Sequence, residues 1–214
     1  MSQRAAQLFT RLQDARFYRE MHETAAALIP DGAGRTWLDI GCGPGLLARM
    51  AADKGYEAVG VDRDADMIEA ARTIARARHS TAVFEVADID AITARSTRYD
   101  VVSASSLLVV LPEPAAALRQ LVALTKPGGT VLIVEAARGM SRLRALSMLL
   151  SGQLGSGGGM LLAWAGARAG NTLNEDIFRD PFWTATRHPL LKGMACAWTI
   201  TSSAPSITNG ASYD

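Results

Sequence analysis

The sequence predicts a doubly wound α/β fold: a mostly parallel seven-stranded sheet, closed by an antiparallel C-terminal hairpin, with helices on both faces. Three observations predict it. Short apolar and β-branched runs alternate with amphipathic stretches between Trp37 and Glu135, as in a parallel sheet covered on both sides. The first run passes into three alternating glycines, Gly41, Gly43 and Gly45, and then into Leu46, Leu47, Met50 and Ala51 at helical spacing. Near the end, Phe182 to Leu190 and Met194 to Thr201 read as two strands around Lys192-Gly193, a hairpin signal.

The elements follow in order. From about Gln3 to Leu28 the chain reads as one or two helices, with Ala5, Leu8, Phe9 and Leu12, then Phe17, Met21, Ala25 and Leu28, on apolar faces. Pro30 to Gly34 is a break. Trp37, Leu38 and Ile40 end the first strand, and a helix from about Leu46 to Asp53 stops at Lys54-Gly55. Ala58 to Val61 is the second strand, with Asp62 at its end. Asp64, Asp66 and Glu69 then open a helix with acids in its first turn, where the helix dipole favours them. Ala82 to Val86 and Tyr99 to Ala104 are the third and fourth strands. A helix starting at Pro114 closes at Lys126-Pro127-Gly128-Gly129, and Thr130 to Glu135 is the fifth strand.

After Glu135 the alternation stops. Arg138 to about Leu150 and Met160 to Ala169 read as apolar helices around a glycine hinge that includes Gly157-Gly158-Gly159. Ser202 to Asp214 reads as a loose polar tail. The expected organisation is one domain over 1–201, comprising an N-terminal helical cap (1–30), a ligand-binding core (36–135) and a helical insertion (138–180), with a disordered tail at 202–214.

A length of 214 residues suits one domain with a proper core. A formal net charge of +1 gives no support to non-specific nucleic-acid binding. Cys42 and Cys196 stand far apart and in no metal-ligand spacing, so neither a disulfide framework nor a metal site is expected. Met1 to Thr10 carries no charged-then-apolar leader, and a cytoplasmic setting is the default expectation. The 23 residues from Ala145 to Ala167 hold no charge and match a bilayer span in length. Their glycine-rich centre, Gly152 to Gly159, is a poor helix interior and favours two short apolar helices.

Strand, glycine turn and helix put a helix N-terminus at the carboxyl edge of the sheet, where a ligand can approach the main chain. A phosphate-binding loop would need a Lys-Ser or Lys-Thr pair after the glycines, and a dinucleotide fingerprint would place its third glycine or alanine where Leu46 stands. Both nucleotide readings lose ground, and an NAD-dependent oxidoreductase ranks last. Asp39, Asp62 and Asp88 stand at the ends of three successive strands, where such sheets bind ligands. Asp62 lies 21 positions after Gly41, near the spacing of an acid that accepts from both ribose hydroxyls. A carboxylate offers two oxygens for two neighbouring donors and repels a 2′-phosphate, although Arg63 stands alongside.

Leu38 to Gly45, with its GxGxG loop, resembles the first motif of the class I S-adenosylmethionine-dependent methyltransferases. Leu111-Pro112-Glu113-Pro114 and Leu124 to Gly129 before a strand ending in Glu135 resemble that family's later segments, so the resemblance runs from about Trp37 to Glu135. It implies a Rossmann-like fold and S-adenosyl-L-methionine as cofactor. It also implies roles: Asp62 on the ribose, Asp88 on the adenine amino group, the Ile89 backbone at the ring, and Met67 over its face. The loop Gly41-Cys42-Gly43-Pro44-Gly45 would lie under the methionine portion, with Asp39 orienting its amino group and the main chain at Ala104 and Ser105 contacting the same end. Val109-Val110 departs from the pattern, since many relatives are polar there.

Methyl transfer from a sulfonium needs alignment, exclusion of water and sometimes removal of a proton. Candidate bases are Tyr18 and His22, four apart on one helix face, and His188 in the hairpin; His79, after Arg76-Ala77-Arg78, reads as a solvated helix end. The expected function is methyl transfer to a small or lipophilic acceptor. Two alternatives stand beside it: a membrane-adjacent lipid or quinone methyltransferase, and a catalytically silent cofactor-binding partner subunit.

Overall fold

The computed structural model describes residues 3–95, 97–137, 143, 145–147, 158–168 and 173–202. Its sheet has the order β3-β2-β1-β4-β5-β7-β6. Strands β1 (Thr36–Ile40), β2 (Glu57–Asp62), β3 (Val83–Val86), β4 (Tyr99–Ser105) and β5 (Thr125–Ala136) run parallel. Strand β7 (Ala195–Ser202) is antiparallel to both β5 and β6 (Trp183–Leu190), which is the expected hairpin.

Alternate strand residues face opposite sides of a sheet, and the two sides carry two apolar clusters. Trp37, Val101, Leu132 and Val134 pack beneath α1 (Gln3–Asp14), α2 (Arg16–Ala26), α3 (Leu46–Asp53), α4 (Ala65–Ala77) and α7 (Gly158–Arg168). Leu38, Ile40, Val102 and Ile133 pack against α5 (Ile89–Thr93) and α6 (Pro114–Ala123). The N-terminal stretch is two helices because Ala15 is extended (φ −65°, ψ 132°) and redirects the chain before α2. Helices α4 and α5 start on Asp64 and Asp88, whose side chains accept from the backbone N–H of Asp66 and Ala91.

Strand β5 begins earlier than its β-branched run implies. The pairing jumps from Tyr99↔Thr125 to Val101↔Thr130, so Lys126 to Gly129 form a bulge within the strand. A long-range cluster holds it there: Oδ2 of Asp100 accepts from Nζ of Lys126 (2.8 Å) and from the backbone N–H and hydroxyl of Thr36 (both 2.8 Å). These donors, Lys126 first, hold the Asp100 carboxyl well below the usual carboxylate range. The expected helix from Arg138 to Leu150 falls mostly outside the described residues, as do Gly157 of the proposed hinge and the tail beyond Ser202. Among the described residues no helix is long and apolar enough to cross a membrane.

Asp100→Ala is expected to lower unfolding free energy by about 1–3 kcal/mol, because it removes the shared acceptor of β1 and the β5 bulge. Denaturant unfolding checks this; an unchanged midpoint would show that the cluster is ornamental.

Candidate active site

The site grows from the junction of β1 and β4, where chain connections leave the sheet in opposite directions. Ile40 pairs with Ala104, so the glycine loop and Ser105 emerge side by side at the carboxyl edge. Two glycines explain the loop. Gly45 has φ +79°, and a Cβ there would lie 2.3 Å from the Phe84 ring, so this position lets the loop settle on the sheet. Gly43 has φ +52°, and a Cβ there would meet only Nε2 of Gln13, at 3.7 Å. Its main chain is open to a ligand.

Helix α3 starts without a side-chain cap from Gly45. The amide of Leu46 instead donates to Oε1 of Gln13, on α1 (3.1 Å), and that of Ala48 faces the Asp39 carboxyl and favours its charged form. Arg49 is buried and its guanidinium donates to the Pro44 carbonyl, binding helix to loop. Burial pushes its pKa down to about 10.

Asp62 ends β2 and is half-buried. Its Oδ2 accepts from the amide of Gly43 (2.9 Å) and its Oδ1 from the amide of Asp64 (2.9 Å), leaving lone pairs for further donors. Asp88 is exposed and caps α5 through Oδ1; Ile89 beside it is half-buried. Met67 is 3% exposed yet belongs to neither apolar cluster. Arg63 is exposed. The Cys42 thiol is buried against Gly60, and burial, with Asp39 and Asp62 nearby, holds its pKa well above the ordinary value. The Cys42 backbone holds the turn, the amide donating to the Val61 carbonyl (3.0 Å) and the carbonyl accepting from the Gly45 amide (2.9 Å).

Asp39 is 2% exposed and points into the protein. The Trp37 indole N–H donates to Oγ of Ser103 (2.8 Å), which donates to Oδ1 of Asp39 (2.7 Å). Burial raises the Asp39 pKa to about 7. Ser105 continues the same strand face. Its Oγ lies 2.7 Å from Nε2 of His22, whose Nδ1 lies 2.8 Å from the Tyr18 carbonyl. A carbonyl only accepts, so Nδ1 carries the hydrogen and Nε2 of the neutral ring accepts from Ser105. Burial pushes the His22 pKa down to about 4, against a smaller opposing effect of the Tyr18 bond.

The three candidate bases separate. Tyr18 and His22 share a face as expected, with ring centroids 4.3 Å apart, and Tyr18 packs edge-on to Trp164 of α7 at 5.9 Å. His188 lies on the edge strand β6 and bonds Thr199 (2.9 Å). Four strand spacings, roughly 19 Å, separate β6 from β1, so His188 is remote from the loop. Val109-Val110 is a short 3₁₀ turn; its Val109 amide donates to the buried Glu135 carboxyl (3.4 Å). Gln13, Ser103 and Arg49 were not expected at the site. Ser103 and Ser105, polar at alternate positions in the otherwise apolar run from Val101 to Ser105, were the available signal.

The sequence family described as a methyltransferase domain matches residues 10–156. The chain belongs to that family. Among curated proteins it is 33% identical over 96 residues to a ubiquinone biosynthesis O-methyltransferase of Coxiella burnetii, covering 45% of this chain and 41% of that one. It is 37% identical over 105 residues to the protein of the same name from Alkalilimnicola ehrlichii, covering 46% and 40%. The match thus spans about two fifths of the length of these relatives. Among solved structures, the plantazolicin methyltransferase BpumL, in complex with a pentazolic desmethylPZN analog and S-adenosylhomocysteine, superposes with a TM-score of 0.66 at 17% identity, covering 93% of this chain and 90% of that one. The magnesium protoporphyrin IX methyltransferase of Synechocystis PCC 6803 gives 0.64 at 18% identity, covering 87% and 84%. These structures establish the shared Rossmann-like fold.

Two buried titratable groups of this methyltransferase-family domain, Asp39 and His22, oppose each other with pH. Asp39, at about 7 folded against an ordinary 3.8, costs stability as pH rises through that window. His22, at about 4 folded against an ordinary 6.5, costs stability as pH falls from 6.5 towards 4. His22→Gln is therefore expected to lose stability steadily from pH 4.5 to 7, relative to the wild type, and Asp39→Asn to gain it. Denaturant midpoints across that range check the signs; three parallel curves would contradict them.

Proposed function

We propose that the chain binds S-adenosyl-L-methionine in the loop Gly41 to Gly45 and transfers its methyl group to a hydroxyl of a small, lipophilic acceptor. The observation that carries this reading is the open main chain at Gly43, fixed by Asp62 and emerging beside Ser105. The fold fits the cofactor on physical grounds. A flat nucleoside needs acceptors at its ribose and adenine edge, and a charged amino-acid end needs close main-chain contact. Asp62 would take the ribose hydroxyls, Asp88 and the Ile89 backbone the adenine edge, and Met67 the ring face. The loop backbone, including that of Cys42, would lie along the methionine portion. Arg63 would stay at the solvent rim. Asp39 would act from beneath by holding α3. Bound there, the cofactor supplies an already activated methyl group, so the protein has to align the acceptor and exclude water.

Oxygen as the acceptor atom is supported by the names of the curated relatives, and a lipophilic acceptor by the apolar segment after Glu135. That segment, about 138–180, would cap the carboxyl edge and select the substrate. Trp164 against Tyr18 supports this, since it brings α7 to the helix that carries His22. A quinone or lipid at a membrane surface is the variant favoured by Leu143, 80% exposed, and Leu146, 40% exposed.

Calorimetric titration with S-adenosylmethionine, S-adenosylhomocysteine and NAD tests the reading; tighter binding of NAD would overturn it. Asp62→Ala should stay folded and bind S-adenosylhomocysteine about 10- to 100-fold more weakly, a loss of about 1.5–3 kcal/mol for a charged acceptor. Unchanged affinity in the folded variant would remove Asp62 from the site.

A further inference from the structure

We propose that Ser105 and His22 form the proton path of the reaction, Ser105 taking the hydrogen of the acceptor hydroxyl as it passes its own to Nε2 of His22. This rests on the methyl-transfer reading above. The pair has the features such a path needs. Ser105 is half-buried at the edge where the glycine loop emerges, so it is the member that a ligand can touch. His22 is 2% exposed and is reached through Ser105. The Nδ1–H···O bond to Tyr18 fixes the tautomer that leaves Nε2 bare, and burial keeps the ring neutral at physiological pH. The partnership is also long-range, joining residues 83 positions apart from α2 and β4. Ser103, two residues earlier on the same face, is spent on Trp37 and Asp39, whereas the Ser105 hydroxyl donates to the imidazole and keeps lone pairs for an incoming hydroxyl.

The balance closes without another reactant. The acceptor oxygen gives an electron pair to the methyl carbon, and the carbon–sulfur bond breaks with its pair going to sulfur, turning the sulfonium into a neutral thioether. The acceptor proton moves to Oγ of Ser105 as the serine proton moves to Nε2 of His22. The ring then holds a positive charge satisfied by the Tyr18 carbonyl and by Ser105, and returns the proton to solvent as the product leaves. Ser105 is the catalytic residue, and His22 acts through it.

The test uses the full chain, S-adenosylmethionine and a series of ring-substituted catechols graded in acidity from methoxy to nitro, at one pH. His22→Gln keeps an acceptor for the Ser105 hydroxyl but takes no proton; Ser105→Ala removes the path, and Ser105→Thr restores the hydroxyl. Affinity for S-adenosylhomocysteine should be near normal in all three. On the weakly acidic catechols, kcat should fall roughly 100-fold in His22→Gln and Ser105→Ala, the usual scale of proton-transfer catalysis, with KM little changed. The deficit should shrink on nitrocatechol, which is already ionised, and Ser105→Thr should recover most of the rate. Equal losses across the series, wild-type rates in His22→Gln, or methylation of thiols or amines with no catechol turned over would each overturn the path. A second readout needs no turnover: the nitrogen resonances of His22 should show a protonated Nδ1 and a bare, hydrogen-bonded Nε2 that shifts in Ser105→Ala. The opposite tautomer would also overturn it. A wild type that fails to bind S-adenosylhomocysteine would instead remove the methyl-transfer reading itself.

Discussion

The first amides of α3 have no partners within their own helix, and the site is built from the groups that supply them. A helix N-terminus at the edge of a sheet carries unpaired N–H groups and a partial positive charge. Here the usual serine or aspartate cap is replaced by a glycine turn, so support comes from a distance: Gln13 accepts from Leu46, and the Asp39 carboxyl faces Ala48. Asp62 holds Gly43 in the preceding turn, and Arg49 reaches back to Pro44. The loop is thus fixed by side chains on its flanks while its open side at Gly43 stays free for a ligand. A side chain at Gly45 would instead run into the Phe84 ring beneath the loop.

The same economy places the polar groups of β1 and β4. Trp37, Asp39, Ser103 and Ser105 lie on one sheet face beneath α2 and α3, in an otherwise apolar cluster. Unpaired buried polar groups cost more than paired ones gain, so each has a partner at hydrogen-bond distance. Asp39 and Ser103 serve the architecture under the loop. Ser105, one register step higher, reaches the surface and meets α2. Depth along one strand therefore divides structural from chemical tasks.

Much of this was legible in the sequence because it depends on local pattern. The bounds of α3, Leu46 to Asp53, follow from apolar spacing and the Lys54-Gly55 stop, and the strand-end acids follow from alternation alone. What was hidden depends on register and on contacts across the fold. Pro127-Gly128-Gly129 reads as a turn, yet it lies within β5 because Asp100 draws Lys126 onto the neighbouring strand. The bond from Ser103 to Asp39 depends on the pairing Asp39↔Ser103 between strands 64 positions apart, which no local pattern announces. His22 and His188 look alike as sequence, and the strand order alone separates them.

The central claim is that the turn from Gly41 to the first residues of α3 is where an S-adenosyl ligand sits. Backbone hydrogen exchange over residues 41–48, with and without saturating S-adenosylhomocysteine, addresses it most directly. The account predicts marked slowing at Gly43 and its neighbours, together with the start of α4 after Asp62, and none with NAD. A cleft of about 260 Å³ between Arg19, Arg49, Arg78 and the acids Asp14, Glu23 and Asp53 should be unaffected apart from α3 itself. Slowing confined to that cleft, or an unchanged loop under conditions where the ligand binds, would contradict the account.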